Sequence, residues 1–392
     1  MVLSNIGECI HQYTIPTVDT SNETIIKKYL IKKRNVMYLI RFMYDYINTY
    51  TYLIFEIMNK LFQYKLTAFC AKMDFSLLSV TGEDSETFLQ NQFTNDILEL
   101  KNESIDHVLS GYCNPKGRLI AIVRILRFKK SQYLLIVPSE LALLVLSRLK
   151  IFILRSKVKI ELADENYIVT GVWCEKINIP IGSKENIEEL VLLKDTDCPV
   201  LGERGWLIGE KNLILKSINN IKEKLLISDL NSNYWKSSEF FSSRFWIDKT
   251  STENFTPQSV NLDLINGVSF NKGCYPGQEI VARTHYLGKV KKRLILASVN
   301  EEKIDKTQLK KDTPIFKNNS KENTSAKIGF VVDISYCQFE KNLNQVLLMI
   351  QCQINELKNL KDSDTLSLKE KNGPELALYA LPCFSNEFNE IK

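Results

Sequence analysis

The spacing of apolar positions changes several times along this chain, and each change predicts an element. Between Met37 and Phe62, Leu39, Met43, Tyr46, Ile47, Tyr50, Leu53, Ile54, Ile57 and Leu61 recur at helical period, while Arg41, Asp45, Asn48, Glu56 and Asn59 interrupt the run. The pattern predicts an amphipathic helix docked on a folded body, with a peripheral membrane or partner helix as the alternative, and no membrane span. Phe75 to Gly82 reads as a strand ending in a turn. Thr81-Gly82-Glu83-Asp84 then resembles a capping box for a helix carrying Phe88, Leu89, Phe93 and Ile97. The turn cluster Cys113-Asn114-Pro115-Lys116-Gly117-Arg118 leads into the apolar strand Leu119–Phe128, and Tyr133–Val137 is a further strand, so a hairpin entering buried sheet is expected.

Pro138-Ser139 caps a helix from Glu140 to about Leu154, whose continuous apolar character implies burial; Val158, Ile160 and Leu162 alternate as a strand. A second lobe, about 164–232, holds strands near Ile168–Trp173 and Trp206–Gly209 and a helix near Ser217–Leu226. Further on come a low-complexity polar loop, Lys317–Lys327, and strands at Ile328–Ile334 and Val346–Gln351. Strands and helices intermingle without a repeating βαβ pattern, which points to an α+β architecture with mainly antiparallel sheets.

Composition narrows the function more than the fold. At 392 residues the chain exceeds what one core organises, so two or three domains are expected, and 44% hydrophobic with 25% charged residues is the balance of a soluble globular protein. A net charge of +5 permits an anionic partner without announcing nucleic acid. Nine cysteines without a C-x-x-C indicate neither a disulfide framework nor a zinc or cluster site of standard spacing, and a reducing compartment is expected. His11, His107 and His285 are far apart, and no Gly-rich phosphate fingerprint occurs, so metal catalysis and Rossmann or P-loop chemistry are disfavoured. The start of the chain has neither the order of a secretory signal nor, over residues 1–36, the Arg- and Ser-rich composition of a transit leader.

Lys272-Gly273-Cys274-Tyr275-Pro276-Gly277-Gln278-Glu279-Ile280-Val281-Ala282-Arg283 is a mixture that neither a core strand nor a surface helix selects. Pro276 and Gly277 predict a type II turn over Tyr275–Gln278, and Gly273 leaves room for a close backbone approach. If the following element is a helix, Cys274 lies near its positive end with Lys272 beside it, and both favour a thiolate. The alternative is a small buried thiol packed under a turn.

Lys-Gly-Cys-Tyr-x-Gly-Gln-Glu resembles the signature of the YgfZ family, folate-binding proteins related in fold to the aminomethyltransferase, or T-protein, of the glycine cleavage system. The resemblance runs from about Lys65 to Pro382 and includes Gly82, Ser85, Phe88, Gln90, Gln92, Thr94 and Asp96. Trp235 falls where the family has a tryptophan implicated in folate binding, and Phe75 stands where its aromatic partner is usually tryptophan. Phe241–Phe245 departs from the family's Ile-Glu-Ala-Gly-(Phe/Ile)-Pro-like run, losing an acid.

The resemblance implies an α+β, aminomethyltransferase-like fold with a small C-terminal β-barrel closed by Leu376–Pro382. It also implies an extension (1–64), a folate-binding region (65–288) and a barrel domain (289–392). The implied function is that of a cytoplasmic accessory protein using tetrahydrofolate or a related folate, supporting tRNA modification and the maintenance of iron-sulfur enzymes. Iron-sulfur tRNA-modifying enzymes are then its expected partners. Cys274 would be the functional thiol, Phe75 and Trp235 would clamp the pterin face to face, and Lys272, Gly273, Tyr275, Gly277, Gln278, Glu279 and Arg283 would shape the site. Thiol and aromatic cleft are expected to share one pocket. Two other readings stand beside this one: a tetrahydrofolate-dependent aminomethyl or one-carbon transferase, and direct tRNA binding through Lys289, Lys291, Lys292 and Arg293 together with Lys272 and Arg283. For these cations a solvated, lysine-protected strand edge is the bland alternative.

Overall fold

The structure, a computed structural model, describes residues 53–384 with breaks at 55, 59–65, 71–72, 102–104, 130, 179–182, 188, 197–201, 226–227, 320–322, 337–344, 362, 372 and 380. Most of the amphipathic helix expected over Met37–Phe62 lies outside the described residues. The chain divides into two units, Met1–Phe55 and Glu56–Lys392. Every strand and helix named below belongs to the second. Among the described residues no helix is long and apolar enough to cross a membrane.

The strands are β1 (Leu66–Cys70), β2 (Phe75–Thr81), β3 (His107–Cys113), β4 (Leu119–Lys129), β5 (Gln132–Pro138), β6 (Lys159–Leu162), β7 (Tyr167–Cys174), β8 (Lys184–Ile187), β9 (Leu190–Lys194), β10 (Glu203–Glu210) and β11 (Ser228–Asp229). They continue with β12 (Lys292–Asn300), β13 (Pro314–Asn319), β14 (Thr324–Ser335), β15 (Gln345–Gln353), β16 (Asp364–Leu368) and β17 (Ala377–Tyr379). The helices are α1 (Ser85–Gln90), α2 (Ser139–Ile151), α3 (Lys211–Leu225), α4 (Ser232–Phe241), α5 (Gln278–Tyr286) and α6 (Ile354–Lys358). Three sheets result, in the orders β11-β1-β7-β10-β9-β8, β3-β4-β5-β2-β6 and β16-β13-β14-β15-β12-β17. All neighbours are antiparallel except β1 and β11. The architecture is α+β, and the expected C-terminal barrel takes the form of a curled, half-barrel sheet.

Period-2 alternation decides which face each buried residue joins. Leu77 of β2, Leu126 of β4 and Leu134 and Ile136 of β5 pack with Val169, Trp173, Trp206 and Ile208 of the first sheet. Their neighbours Leu78, Val80, Ile125, Leu135 and Val137 join the larger core with Leu141, Val145 and Leu149 of α2. The same alternation turns Arg124 of β4 and Arg204 of β10 inward, between the first two sheets. Both are almost fully buried.

Four local expectations need correction. The capping box is absent, because the Asp84 carboxylate accepts from Lys157 N (2.7 Å) and makes no cap bond. α1 also stops at Gln90, whose amide takes Ile97 N (2.7 Å) and Asp96 (3.0 Å), so Phe93 instead bridges to Tyr112. α2 buries only one face: it forms a single layer on its sheet, and Leu143 and Ile151 are 69% and 68% exposed. The polar stretch Lys317–Lys327 is no loop but largely the β13–β14 hairpin, with Lys317 opposite Ala326 and Asn318 opposite Ser325. Polar residues serve there because Asn318 is satisfied sideways by Ser325 Oγ (2.7 Å) and Ser367 Oγ (2.8 Å).

Candidate functional site

The inward arginines converge on one acid. Asp195, just beyond β9, is fully buried and meets Arg124 Nη2 (2.8 Å), Arg204 Nη2 (3.3 Å), Arg244 and Trp206 Nε1 (2.6 Å). Burial alone would push this carboxyl up, but Arg124, Arg244 and Arg204 together outweigh it and hold it well below the usual carboxylate range. Arg204 Nη1 also lies 3.1 Å from Glu239 Oε1, and Arg124 Nη1 donates to His107 Nδ1 (2.9 Å). Burial, followed by Arg124, drives the His107 imidazole down to about 3. It is therefore neutral at pH 7, accepting at Nδ1 and donating through Nε2 to Lys194 O (3.2 Å).

Aromatic rings pack over this ionic floor. Arg124 lies 4.9 Å from the Trp206 centroid and Arg204 5.1 Å from that of Trp235. Trp206 contacts Phe75 (5.1 Å, 76°), Trp235 (4.8 Å, 78°) and Trp246 (6.0 Å, 66°), all edge to face. The Trp235 indole rests on the bare backbone of β7, where a Cβ at Gly171 would come within 2.3 Å of Cε3. Asn231 starts α4 by accepting from Asn233 N (3.0 Å), which orients the helix carrying Trp235 and Glu239.

Beside these rings opens a cavity of about 450 Å³, lined by Phe75, Ser139, Trp235, Glu239, Arg244, Trp246, Asp248 and Asp333 among others. Two of its buried polar atoms, Trp235 Nε1 and Arg244 Nε, have no hydrogen-bond partner among the described residues, while Glu239 Oε1 faces the Arg204 guanidinium as an ion-pair partner. Glu239 Oε2 accepts from Trp246 Nε1 (2.9 Å). The acids Asp248 and Asp333 are held by Lys311 and Lys236. The cavity thus combines aromatic walls with two unpartnered donors and a buried carboxylate.

Phe75 and Trp235 both line the cavity. Trp206 touches both, and Trp235 is only 2% exposed. Each of the pair meets Trp206 edge to face, and Trp246 adds a further wall to the cavity. Trp246 and Glu239 were not singled out in the sequence. Glu239 supplies a carboxylate two residues ahead of the position at Phe241 where an acid was missed.

The expectation of one pocket shared by residues 75, 235 and 274 is also corrected. No residue from 272 to 283 lines this cavity. Cys274 is exposed, on a loop leading into α5, so the alternative of a buried thiol does not hold either. The type II turn is present: Gln278 N bonds Tyr275 O (3.2 Å) and Gly277 has φ 81 and ψ 3. A Cβ on Gly277 would come within 2.4 Å of Asn114 O, and one on Gly117 within 2.9 Å of Ile280 Cβ. These two glycines interlock the β3–β4 turn with the start of α5. A Cβ at Gly273, by contrast, would meet nothing within 4 Å, so no close approach requires that glycine.

Lys272 points away from solvent and donates to Gln90 O (2.6 Å), Phe93 O (2.6 Å) and Asn95 O (2.7 Å). Burial lowers it to about 8, against the opposing pull of Asp96. Thr94 and Asn95 stitch the other side of the loop through Gly267 O (2.7 Å) and Asn266 O (2.7 Å). Tyr275 is buried, and burial followed by the nearby Cys113 raises its hydroxyl. Gln278 is half-buried, while Glu279 and Arg283 are exposed along α5.

No family model matches the chain. Among curated proteins it is 30% identical over 288 residues to the tRNA-modifying protein YgfZ of Buchnera aphidicola, covering 70% of this chain and 85% of that one. Against the tRNA-modifying protein YgfZ of Hamiltonella defensa the identity is 32% over 232 residues, covering 56% and 67%. Among solved structures, the glycine cleavage system aminomethyltransferase T from Bartonella henselae superposes with a TM-score of 0.62 over 83% of this chain and 89% of that one. At 10% identity that likeness is of fold alone.

Proposed function

The chain belongs to the YgfZ family, and from that premise we propose that it is a folate-binding accessory protein supporting tRNA modification. The observation that carries the reading is the aromatic cavity lined by Trp235, Glu239 and Arg244, with Trp235 Nε1 and Arg244 Nε unpartnered among the described residues and the Glu239 carboxylate buried in its wall. A pterin suits it, being a flat heteroaromatic ring whose edge carries both donors and acceptors. Trp246 and Phe75 would supply apolar contact, while Glu239 would accept from the ring's N–H groups. Bound tetrahydrofolate would bring one-carbon chemistry; the chain's own residues bind it, orient it and exclude water.

The finer parts of the proposal follow from family membership. The protein acts in the cytoplasm, sustains iron-sulfur enzymes that modify tRNA, and uses Cys274 as an exposed functional thiol. Residues 65–288 form the folate-binding region and 289–392 the barrel domain, with 1–64 as an extension. The thiol then works on a surface apart from the folate cavity, so the two are mutated separately.

Calorimetric titration with tetrahydrofolate tests the cavity. Trp235→Ala is expected to weaken binding at least tenfold, since one lost ring contact alone is worth about 0.5–1.5 kcal/mol beyond area burial. Because Trp235 is deeply packed, Glu239→Gln is the companion variant, expected to fold normally and also to weaken binding. Unchanged affinity in a folded Glu239→Gln protein would place the pterin elsewhere. Cys274→Ala is expected to fold and bind folate but to lose support of iron-sulfur-dependent tRNA modification in cells; normal modification refutes the role of the thiol.

A second reading, a tetrahydrofolate-dependent aminomethyl or one-carbon transferase, is favoured by one observation: Glu239 keeps a carboxylate in the cavity despite the departure at Phe241–Phe245. Measurable aminomethyl transfer to tetrahydrofolate would replace the accessory reading.

A further inference from the structure

α5 and the segment after it form a surface with two unusual properties together. It is cationic: from Gln278 to Lys292 there is one acid, Glu279, against Arg283, Lys289, Lys291 and Lys292. These four cations are exposed, and none is held in an ion pair among the described residues, whereas the next, Arg293, is committed to Asp263 (2.5 Å). Exposed Lys116, on the turn interlocked with the start of α5, adds to the same surface.

It also presents rings. His285 is exposed and stacked on Phe270 (3.6 Å, 12°), which holds its ring as a flat platform. Tyr286, 62% exposed, stands edge-on to His285 (4.8 Å), and Leu287 beside it is 84% exposed. The bland explanation for the lysines, protection of a free strand edge, does not fit. β12 is paired with β15 along its whole length and with β17 at Leu296–Ser298, and before β17 begins Asn261 Nδ2 donates to Leu294 O (2.9 Å) and covers the edge.

We propose that this face binds a single-stranded segment of RNA, with phosphates on Lys289, Lys291 and Lys292 and unstacked bases on His285 and Tyr286. Free cations alone fit any polyanion, but cations interspersed with exposed rings select a chain whose bases are free to stack. The inference deepens the tRNA-related role proposed above and rests on it. It presents Cys274, on the loop leading into α5, beside the bound strand.

The test is fluorescence anisotropy of labelled RNA titrated with the full chain at several salt concentrations, using an unmodified tRNA transcript, a single-stranded oligonucleotide and a duplex. The tRNA and single strand are expected to bind, the duplex more weakly. Lys291→Gln with Lys292→Gln flattens the salt dependence by about 1.4 in log–log slope, at roughly 0.7 per phosphate contact on a single strand. Tyr286→Ala weakens single-strand binding about tenfold and leaves the slope unchanged. No binding at low salt, an unaltered slope in the lysine variant, or equal affinity for duplex with Tyr286→Ala neutral overturns the proposal. So does retained RNA affinity with loss of a protein partner, which would assign the face to protein. Tetrahydrofolate affinity of the same variants separates the two readings: normal folate binding without RNA binding defeats only this surface, and the converse defeats only the cavity.

Discussion

Lys272 shows how one side chain can hold a loop from far away. Its three carbonyl acceptors lie about the end of α1. Lys272→Met leaves them unmet and is expected to cost about 2–3 kcal/mol, read as a lower denaturation midpoint. The titration gives a second signature. Burial lowers Lys272 from an ordinary 10.5 to about 8, so between those values the unfolded chain holds a proton that the folded one has released. Stability therefore rises with pH across that window, and Lys272→Met removes this rise when midpoints at pH 7.5 and 9.5 are compared. None of this was legible in the sequence, where Lys272 reads as a neighbour of the thiol. Its partners are brought near by tertiary packing, without local pattern. The turn at Pro276-Gly277 was legible because its geometry is set by two adjacent residues.

At the scale of elements, alternation carries the interior. β4 and β10 each place an arginine on the face that also carries Leu126 or Trp206, and the buried acid after β9 is what makes this tolerable. Asp195→Ala leaves three guanidinium groups without their shared anion and is expected to cost about 3–5 kcal/mol, seen in urea unfolding or as failure to accumulate folded protein. The strands were legible from their apolar runs, as was the hairpin at Asn114–Gly117. Arg124 was not singled out in the sequence, although a lone cation inside Leu-Ile-Ala-Ile-Val-Arg-Ile-Leu is the signal of a buried charge needing a partner. The partner's identity was not announced, since Asp195 sits in an undistinguished stretch. α1 was read too long because apolar residues at Phe93 and Ile97 keep helical spacing, while the Gln90 side chain and the Tyr112 bridge end the helix.

At the scale of the whole molecule, the buried ionic cluster sets the response to acid. His107 is held neutral with its titration near 3, so on lowering pH from about 6.5 the unfolded chain takes up a proton that the folded one refuses. The depressed Asp195 carboxyl acts in the same direction at lower pH. Stability is thus complete above about pH 6.5 and declines below it. The fall in urea midpoint from pH 7 to pH 5 is expected to be smaller in His107→Gln than in the parent chain. Fold and family were legible from the Lys272–Arg283 run and its companions. The separation of thiol from cavity was not, because residues matched along a chain do not say which pocket each one enters.

All four tryptophans of the chain, Trp173, Trp206, Trp235 and Trp246, form one connected group with centroid spacings of 5.2, 4.8 and 6.0 Å. Indole transitions that close are excitonically coupled, so near-ultraviolet circular dichroism should carry a split band arising from this group alone. The protein thereby holds its own optical gauge. A molecule seating beside Trp246 would reshape the band, and an alkylating reagent at Cys274 would leave it untouched.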